Sequence, residues 1–220
     1  MAKLIWDAVG EKLYETGVSK GVLYPQIAGA YPAGSVWNGL TAVTEAPAGA
    51  EPTDLFADDI KYASLRSAET FGATIEAYTY PEEFAKCDGS AEIAKGVVIG
   101  QQSRAPFGFS YVTQIGSDSK GVNEGAYKLH LIYGCTASPS EKAYATINDS
   151  PEAITFSWEL TTTPAPVEDF KPTASITIDS TKADRAKLTA LEEILYGNDT
   201  DPARLPLPNE VMTLMASSNP

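Results

Sequence analysis

The sequence has little histidine, little cysteine and no long apolar run. His130 is the single histidine, and Cys87 and Cys135 are the two cysteines. One histidine with no cysteine at ligand spacing does not make a zinc site, and two isolated cysteines do not make a disulfide framework. We expect reduced, buried thiols and a histidine at a surface or an interface. No stretch reaches the ~20 apolar residues that cross a bilayer, and no signal peptide is expected at the amino terminus.

Motifs of known catalytic sites are missing as well. The sequence contains no G-x-S-x-G elbow, no P-loop and no dinucleotide fingerprint. Carboxylates such as Glu82, Glu83 and Asp88 lie close together, but 29 acidic residues make chance proximity expected. The alternation of an EF-hand calcium loop is absent around Asp58 and Asp88. The sequence therefore predicts no enzyme, no metal and no cofactor, and a hydrolase with paired carboxylates stays open only as a third alternative.

Basic residues are in the minority. The chain has 16 Lys and Arg against 29 Asp and Glu, a formal net charge of −13. A surface of that sign repels phosphate and gains nothing from counterion release, so specific nucleic-acid binding is not expected. The charge is compatible with simple solubility, and equally with a protein that must lie near DNA without holding it.

What the sequence does have is alternation with a period of two. In residues 154–160 the side chains of Ile154, Phe156, Trp158 and Leu160 alternate with polar ones, which places them on one face of a strand. Further alternating rows are Phe107, Phe109, Tyr111 and Ile115; Tyr127, Leu129, Leu131 and Tyr133; and residues 174–178. The sequence therefore predicts a mainly β fold, a β-sandwich or partly closed barrel.

More strands are expected upstream, where Val, Ile, Tyr and Thr are frequent and Gly, Pro and Asn interrupt them. These segments are residues 21–26, 35–44, 59–67 and 70–80. The segment 117–121 is typical of a turn between antiparallel strands, with Gly121 free to adopt a positive φ.

Two helices are predicted beside the strands. A short turn is expected over residues 81–86, with acidic residues near its start. A longer helix is expected over residues 182–196, capped by Thr181 and ended by Gly197. Its apolar stripe predicts packing against one face of the sheets, and consists of Leu188, Leu191, Ile194 and Leu195.

Two segments are expected to act as arms around this single domain of residues 1–220. Residues 45–59 carry five acidic residues, no Lys or Arg, and Pro47, Gly49 and Pro52, which predicts an extended, solvated loop. The segment 181–220 forms a helix followed by a proline-rich tail, in which Asn209 is expected to cap a last short helix. The apolar residues of that tail either fold back on their own domain or dock on a neighbour.

Several long phrases resemble a known family. They are MAKLIWDAVGEKLYETGVSKGVLYP (residues 1–25), AYPAGSVWNGL (30–40), GATIEAYTYPEEF (72–84), YGCTASPSEK (133–142), LTALEEILYG (188–197) and ARLPLP (203–208). Over nearly the whole chain, these phrases are similar to the major tail proteins of long-tailed, non-contractile bacteriophages (siphophages) and prophages of Gram-positive bacteria.

The resemblance implies a structural virion protein. Such a subunit is a β-sandwich with a flanking helix, and it polymerises as stacked six-fold rings into the tail tube, the conduit for DNA ejection. The implied partners are further copies of the chain, a tape-measure protein, and distal tail and tail-terminator proteins. DNA is expected to pass through without specific binding, and no membrane is involved. The implied location is the virion tail, assembled in the host bacterial cytoplasm.

Contacts between stacked rings are predicted for the two arms. The residues predicted to make them are Glu45, Glu51, Asp54, Asp58, Asp59, Arg204, Leu205 and Leu207. Trimming either arm is expected to leave a folded monomer that no longer forms long tubes. The alternative function is a β-sandwich module that binds a receptor or a carbohydrate, because composition and strand pattern fit that class equally well.

Overall fold

The chain folds mainly into antiparallel strands, with three α-helices beside them in the described residues. The computed structural model describes residues 4–119, 121–147, 149 and 152–216. Its strands are β1 Leu13–Pro25, β2 Ser35–Trp37, β3 Leu40–Glu45, β4 Ala48–Gly49, β5 Pro52–Ala57, β6 Ile60–Arg66, β7 Glu69–Thr70, β8 Gly72–Ala77, β9 Ala91–Ala94, β10 Val97–Ile99, β11 Phe107–Ser117, β12 Gly121–Ala137, β13 Phe156–Thr162 and β14 Ser175–Asp179. Its helices are α1 Ala85–Asp88, which follows a 3₁₀ turn at Glu82–Phe84, α2 Arg185–Tyr196 and α3 Pro208–Met215.

Eight strands form one large antiparallel sheet. Its order is β2-β1-β11-β12-β13-β8-β3, and β14 pairs with β12 beside this path. The outermost strands, β2 and β3, are consecutive in the chain and are separated only by Asn38 and Gly39. The sheet curls over itself but does not close into a barrel, because β2 pairs with β1 and β3 with β8 rather than with each other. The predicted mainly β fold with a flanking helix is confirmed, and its core strands form one large antiparallel sheet.

The sheet forks along β12. Residues 128–132 of β12 pair with β14, whereas residues 135–137 pair with β13. Gly134 lies at the fork with φ of 61°. A Cβ atom at this position would lie 2.2 Å from the carbonyl oxygen of Thr163. Only glycine fits a positive φ and so close a backbone approach, so this residue allows one strand to serve two branches of the sheet.

An inner core lies between the two halves of the curled sheet. Trp37 packs on Phe84 and Trp158 with ring centroids 4.6 and 5.5 Å apart, in the tilted and edge-on arrangements that aromatic rings favour. Phe107, Phe109, Ile132 and both cysteines belong to the same buried cluster. Cys87 and Cys135 are free thiols, as predicted.

An outer core lies between the opposite face of the sheet and the helices. Leu129, Leu131 and Tyr133 of β12 point to this side and pack with the apolar stripe of α2. Strand β11 is buried on both faces along most of its length. Alternation along β11 and β12 therefore divides residues between two cores, not between core and solvent. Because of this, His130 is buried, and the predicted surface or interface position is wrong for the folded subunit.

Helix α2 agrees with its predicted apolar stripe but not with its predicted start. Leu188, Leu191 and Leu195 are buried, and Gly197 follows the last turn with φ of 78°. The capping residue is Asp184 and not Thr181, because the Asp184 carboxylate accepts hydrogen bonds from the Ala186 and Lys187 amides at 2.9 and 3.1 Å. An aspartate with extended backbone satisfies the free amides of the first turn itself.

The carboxyl-terminal tail folds back on its own domain, which answers the alternative left open by the sequence. Leu205 is 2% exposed, and its amide donates to the Tyr31 carbonyl at 3.2 Å. Helix α3 begins at Pro208 after Leu207, and Val211 is buried in the outer core. The prediction that Asn209 caps this helix is wrong, because Leu207 precedes α3 and the Asn209 side chain accepts a hydrogen bond of 2.9 Å from the Glu168 amide.

The prediction of a loop over residues 45–59 is wrong, although nearly all of these residues are exposed to solvent as predicted. Glu45 ends β3, and the following residues form the first half of a β-hairpin. Ala46 and Gly72 exchange backbone hydrogen bonds of 2.8 and 3.2 Å at its base, β4 pairs with β7, and β5 pairs with β6. Proline and acid content favoured a loop, whereas the pairing partner of β5 lies in the segment 59–67 that was predicted separately as a strand. We refer to residues 47–70 as the hairpin arm.

Candidate assembly surface

The hairpin arm is a two-stranded ribbon that lies almost entirely in solvent. Every residue of β5 is exposed, and in β6 only Ala63 is half-buried. Neither strand pairs with the main sheet. A two-stranded ribbon without a third strand or a packing surface is marginally stable in water. The arm is therefore a part of the fold that contact with another molecule would stabilise.

One face of the ribbon is apolar. Thr53 is paired with Leu65, and Leu55 with Ala63. Cross-strand partners and residues two apart share a face, so these four side chains lie together. Leu55 is 42% exposed and Leu65 is 58% exposed. Exposed aliphatic side chains that lie side by side form a contact surface for another molecule.

The rest of the arm carries charge as well as exposed apolar side chains, among them Phe56 and Tyr62. The Asp54 carboxylate lies 2.7 Å from the Lys61 ammonium, and this contact lowers the pKa of Asp54. Asp58 and Asp59 form the turn, with φ of 49° and 62°. Aspartate tolerates this left-handed conformation better than most residues. The structure thus brings four of the predicted contact residues together in one arm: Glu51, Asp54, Asp58 and Asp59.

Glu45 lies apart from these four acids, at the base of the arm. Its carboxylate oxygen Oε1 accepts a hydrogen bond of 2.7 Å from the Tyr111 hydroxyl. Nδ1 of His130 lies 3.6 Å from the same oxygen. The contact with His130 and the bond from Tyr111 lower the pKa of Glu45, against the opposing effect of burial. This acid therefore interacts with its own subunit.

The predicted contact residues of the tail are also engaged within the subunit. Arg204 donates two hydrogen bonds of 2.9 and 2.6 Å to the Glu210 carboxylate, and Leu205 is in the outer core. Leu207 remains exposed. Of these three residues, only Leu207 presents an open apolar side chain to a neighbour.

Other exposed apolar segments were not predicted from the sequence. The amino-terminal segment carries Leu4, Ile5 and Trp6 in solvent, with Trp6 76% exposed. A second two-stranded hairpin, β9 and β10, exposes Ile93 and Val98. Short apolar runs of this kind are ambiguous in sequence, because the pattern does not say whether the folded chain covers them.

An apolar groove runs between β14 and α3. Its volume is about 490 Å³, and its walls include Phe170, Ile176, Ile178, Val211 and Met215. Ile178 and Val211 also belong to the outer core, so the groove is an opening at the margin of that core. Strand β14 pairs with β12 on one side only. This margin is therefore both a sheet edge and an apolar surface.

The described part of the chain contains no group of three or more His, Cys, Asp or Glu side chains arranged to hold a metal ion. Within the same residues, no helix is both long enough and apolar enough to span a membrane. Burial raises the pKa of Cys87 to about 12, so this thiol is protonated at neutral pH.

Comparisons with known proteins add no identification. No protein-family model matches the chain, and a search of curated proteins finds no match.

Proposed function

We propose that this protein is a structural virion protein, the tail tube subunit of a siphophage or prophage. In this proposal the subunit polymerises as stacked six-fold rings into the conduit for DNA ejection. The sequence phrases that resemble major tail proteins suggest the class. The observation that carries the proposal is the hairpin arm, whose apolar face stays exposed among the residues that the structure describes.

Burial of this face supplies free energy for association. Full burial of a leucine side chain contributes about 1.5–3 kcal/mol. Leu55 and Leu65 are partly covered, so we expect roughly half of that from each. One such contact is weak. A ring or a tube repeats it for every subunit, so the contacts act together.

Sheet edges and the arm would serve different directions of growth. The free sides of β2, β3 and β14 offer backbone groups to a neighbouring strand. Edge pairing around a closed ring removes such edges. A head-to-tail contact through the arm does not close, and therefore propagates a filament. With these two kinds of contact, a single fold can form both a closed ring and a stack of rings.

The negative charge suits the proposed passage of DNA. At a net charge of −13 the assembled tube carries many acidic groups per ring. A lumen that bound phosphates would retain the DNA, whereas an acidic lumen repels the phosphates and leaves the DNA free to pass. In this proposal a tape-measure protein, a tail-terminator protein and distal tail proteins meet the tube inside and at its ends.

The test is tube formation by variants of the apolar face. The double variant Leu55→Asp/Leu65→Asp should remain a folded monomer, because both side chains lie outside the two cores. We expect it to form no tubes in negative-stain micrographs at concentrations where the wild type does. Leu55→Met/Leu65→Met is the matched control, because it keeps the face apolar with similar volume and should still assemble.

Wild-type protein that stays monomeric at every concentration, and is missing from the tail shaft of labelled virions, would overturn the proposal. Binding of that monomer to a glycan array would instead support the alternative of a carbohydrate-binding module.

A further inference from the structure

The base of the hairpin arm is tied across the inner core by one carboxylate. Glu45 is the last residue of β3, directly before the arm. Its Oε1 atom receives the Tyr111 hydroxyl hydrogen bond at 2.7 Å and lies 3.6 Å from Nδ1 of His130. Strand β3 belongs to one half of the curled sheet, and Tyr111 and His130 belong to β11 and β12 in the other half. Glu45 therefore joins the two halves where the arm departs.

The groups that receive Glu45 are themselves held in place. The rings of Tyr111 and His130 are stacked with centroids 4.5 Å apart and planes 3° from parallel. Thr113 Oγ1 lies 3.0 Å from Nε2 of His130, and Thr177 Oγ1 lies 3.4 Å from Nδ1. Both rings are buried. A carboxylate that docks on such a preformed pair has one favourable position.

Few contacts between the arm and the domain set the direction of the arm. Two of its side-chain hydrogen bonds, from the Ala50 amide to Ser67 and from Thr70 to the Ala48 carbonyl, are internal to the arm. The ion pair of Lys61 with Asp54 is internal as well. Such bonds stiffen the ribbon but do not orient it relative to the domain. Orientation depends on the backbone pair at Ala46 and Gly72, on Phe71, which packs on the inner core and accepts a hydrogen bond from Thr162, and on the side chain of Glu45.

We propose that Glu45 is a positioning residue, which through Tyr111 and His130 fixes the direction in which the hairpin arm leaves the domain. This inference rests on the proposed function, in which the arm joins subunits. A fixed direction lowers the entropy lost when the arm docks, so assembly occurs at a lower protein concentration. Glu45 would thus act within its own subunit, although it was predicted as a contact between rings.

The direction of the arm can be measured in the monomer by distances between spin labels. Cysteines introduced by Ala57→Cys at the arm tip and Thr189→Cys on α2 are both exposed positions. The native Cys87 and Cys135 are buried and should escape labelling. The distance distribution is compared in the background of Glu45→Ala, Glu45→Gln and Tyr111→Phe. Glu159→Ala, an exposed acid on β13, is the matched control.

We expect a narrow distance distribution for the labelled protein without further substitution (the unsubstituted background) and for Glu159→Ala. We expect a broad distribution for Glu45→Ala and Tyr111→Phe. Glu45→Gln should restore most of the narrow distribution, because its amide oxygen still accepts from Tyr111. In chains without labels, Glu45→Ala should raise the protein concentration needed for tubes about tenfold.

Two results would overturn this inference. One is a Glu45→Ala distribution as narrow as that of the unsubstituted background. The other is a broadened distribution with no change in the concentration needed for tubes. Wild-type protein that never forms tubes would reject the proposed function instead, and the distance measurement would still decide whether Glu45 positions the arm.

Discussion

At the scale of single residues, the unusual feature is a polar group set into an aromatic core. Tyr111 belongs to the buried inner cluster and also donates a hydrogen bond to the half-exposed Glu45. Burial and the neighbouring carboxylate both raise the pKa of Tyr111, so the phenol is protonated and remains a donor at neutral pH. The contact with His130, followed by the Tyr111 bond, lowers the pKa of Glu45. Glu45 is thus stabilised as the anion.

This lowered pKa predicts a pH dependence of stability. A carboxyl group whose pKa is lower in the folded state stabilises the fold above its unfolded pKa, and this contribution is lost as pH falls through the folded value. We expect wild type to exceed Glu45→Gln by roughly 0.5–1 kcal/mol in the free energy of unfolding at pH 7, allowing for solvent screening.

The difference should shrink as pH falls below the ordinary glutamate value of 4.5. Urea denaturation of both proteins at several pH values measures it, and the exposed Glu159→Gln is the control. A difference that stays constant down to acidic pH would show that the charge of Glu45 does not contribute to stability.

At the scale of elements, the two segments predicted to be arms have opposite structural roles. The hairpin arm contributes to neither core, and the residue that follows it, Phe71, packs on the inner core. The tail contributes Leu205 and Val211 to the outer core, with Leu214 and Met215 packed against it. Burial of the tail argues against trimming it without unfolding, and the prediction that trimming leaves a folded monomer is kept for the hairpin arm alone.

Two truncations should separate these roles. Replacing residues 50–67 with a short Gly-Ser turn should leave a folded monomer with nearly unchanged urea denaturation, because that segment buries almost nothing. Ending the chain after residue 203 should destabilise it by more than about 4 kcal/mol, since burial of several large apolar side chains is lost. Circular dichroism during urea denaturation measures both. A tail truncation as stable as wild type would contradict the assignment of α3 to the outer core.

At the scale of the whole molecule, charge opposes association while apolar surface favours it. Each subunit carries a net charge of −13, so copies repel one another at low ionic strength. The screening length falls from about 30 Å at 0.01 M salt to about 8 Å at 0.15 M. The proposed assembly should therefore depend on salt.

We expect the protein concentration needed for tubes to fall as salt rises from about 0.01 M to about 0.15 M. Light scattering together with electron microscopy measures this concentration. The Leu55→Asp/Leu65→Asp variant should not recover at the higher salt, because screening does not restore an apolar face. A wild-type concentration that rises with salt would indicate contacts dominated by attraction between opposite charges.

Local patterns in the sequence were sufficient for most elements. Alternation predicted the strands around Phe109, Leu131 and Trp158, and the apolar stripe predicted α2, because both signals depend on residues a few positions apart. The start of α2 was misplaced from Asp184 to Thr181, since two capping residues competed within one turn. The arm was missed as a hairpin because its proline and acid content favours a loop.

What the sequence by itself determined is the class of fold and the flanking helix, since strand and helix periodicity are properties of neighbouring residues. Only the tertiary structure decided which side of each strand faces which core. It also decided that the tail packs on its own domain and that the hairpin arm is exposed to solvent. Glu45 and Tyr111 are 66 positions apart, so no local pattern relates them. Their contact exists because the sheet curls and brings β3 over β11, and this curling depends on packing between distant residues.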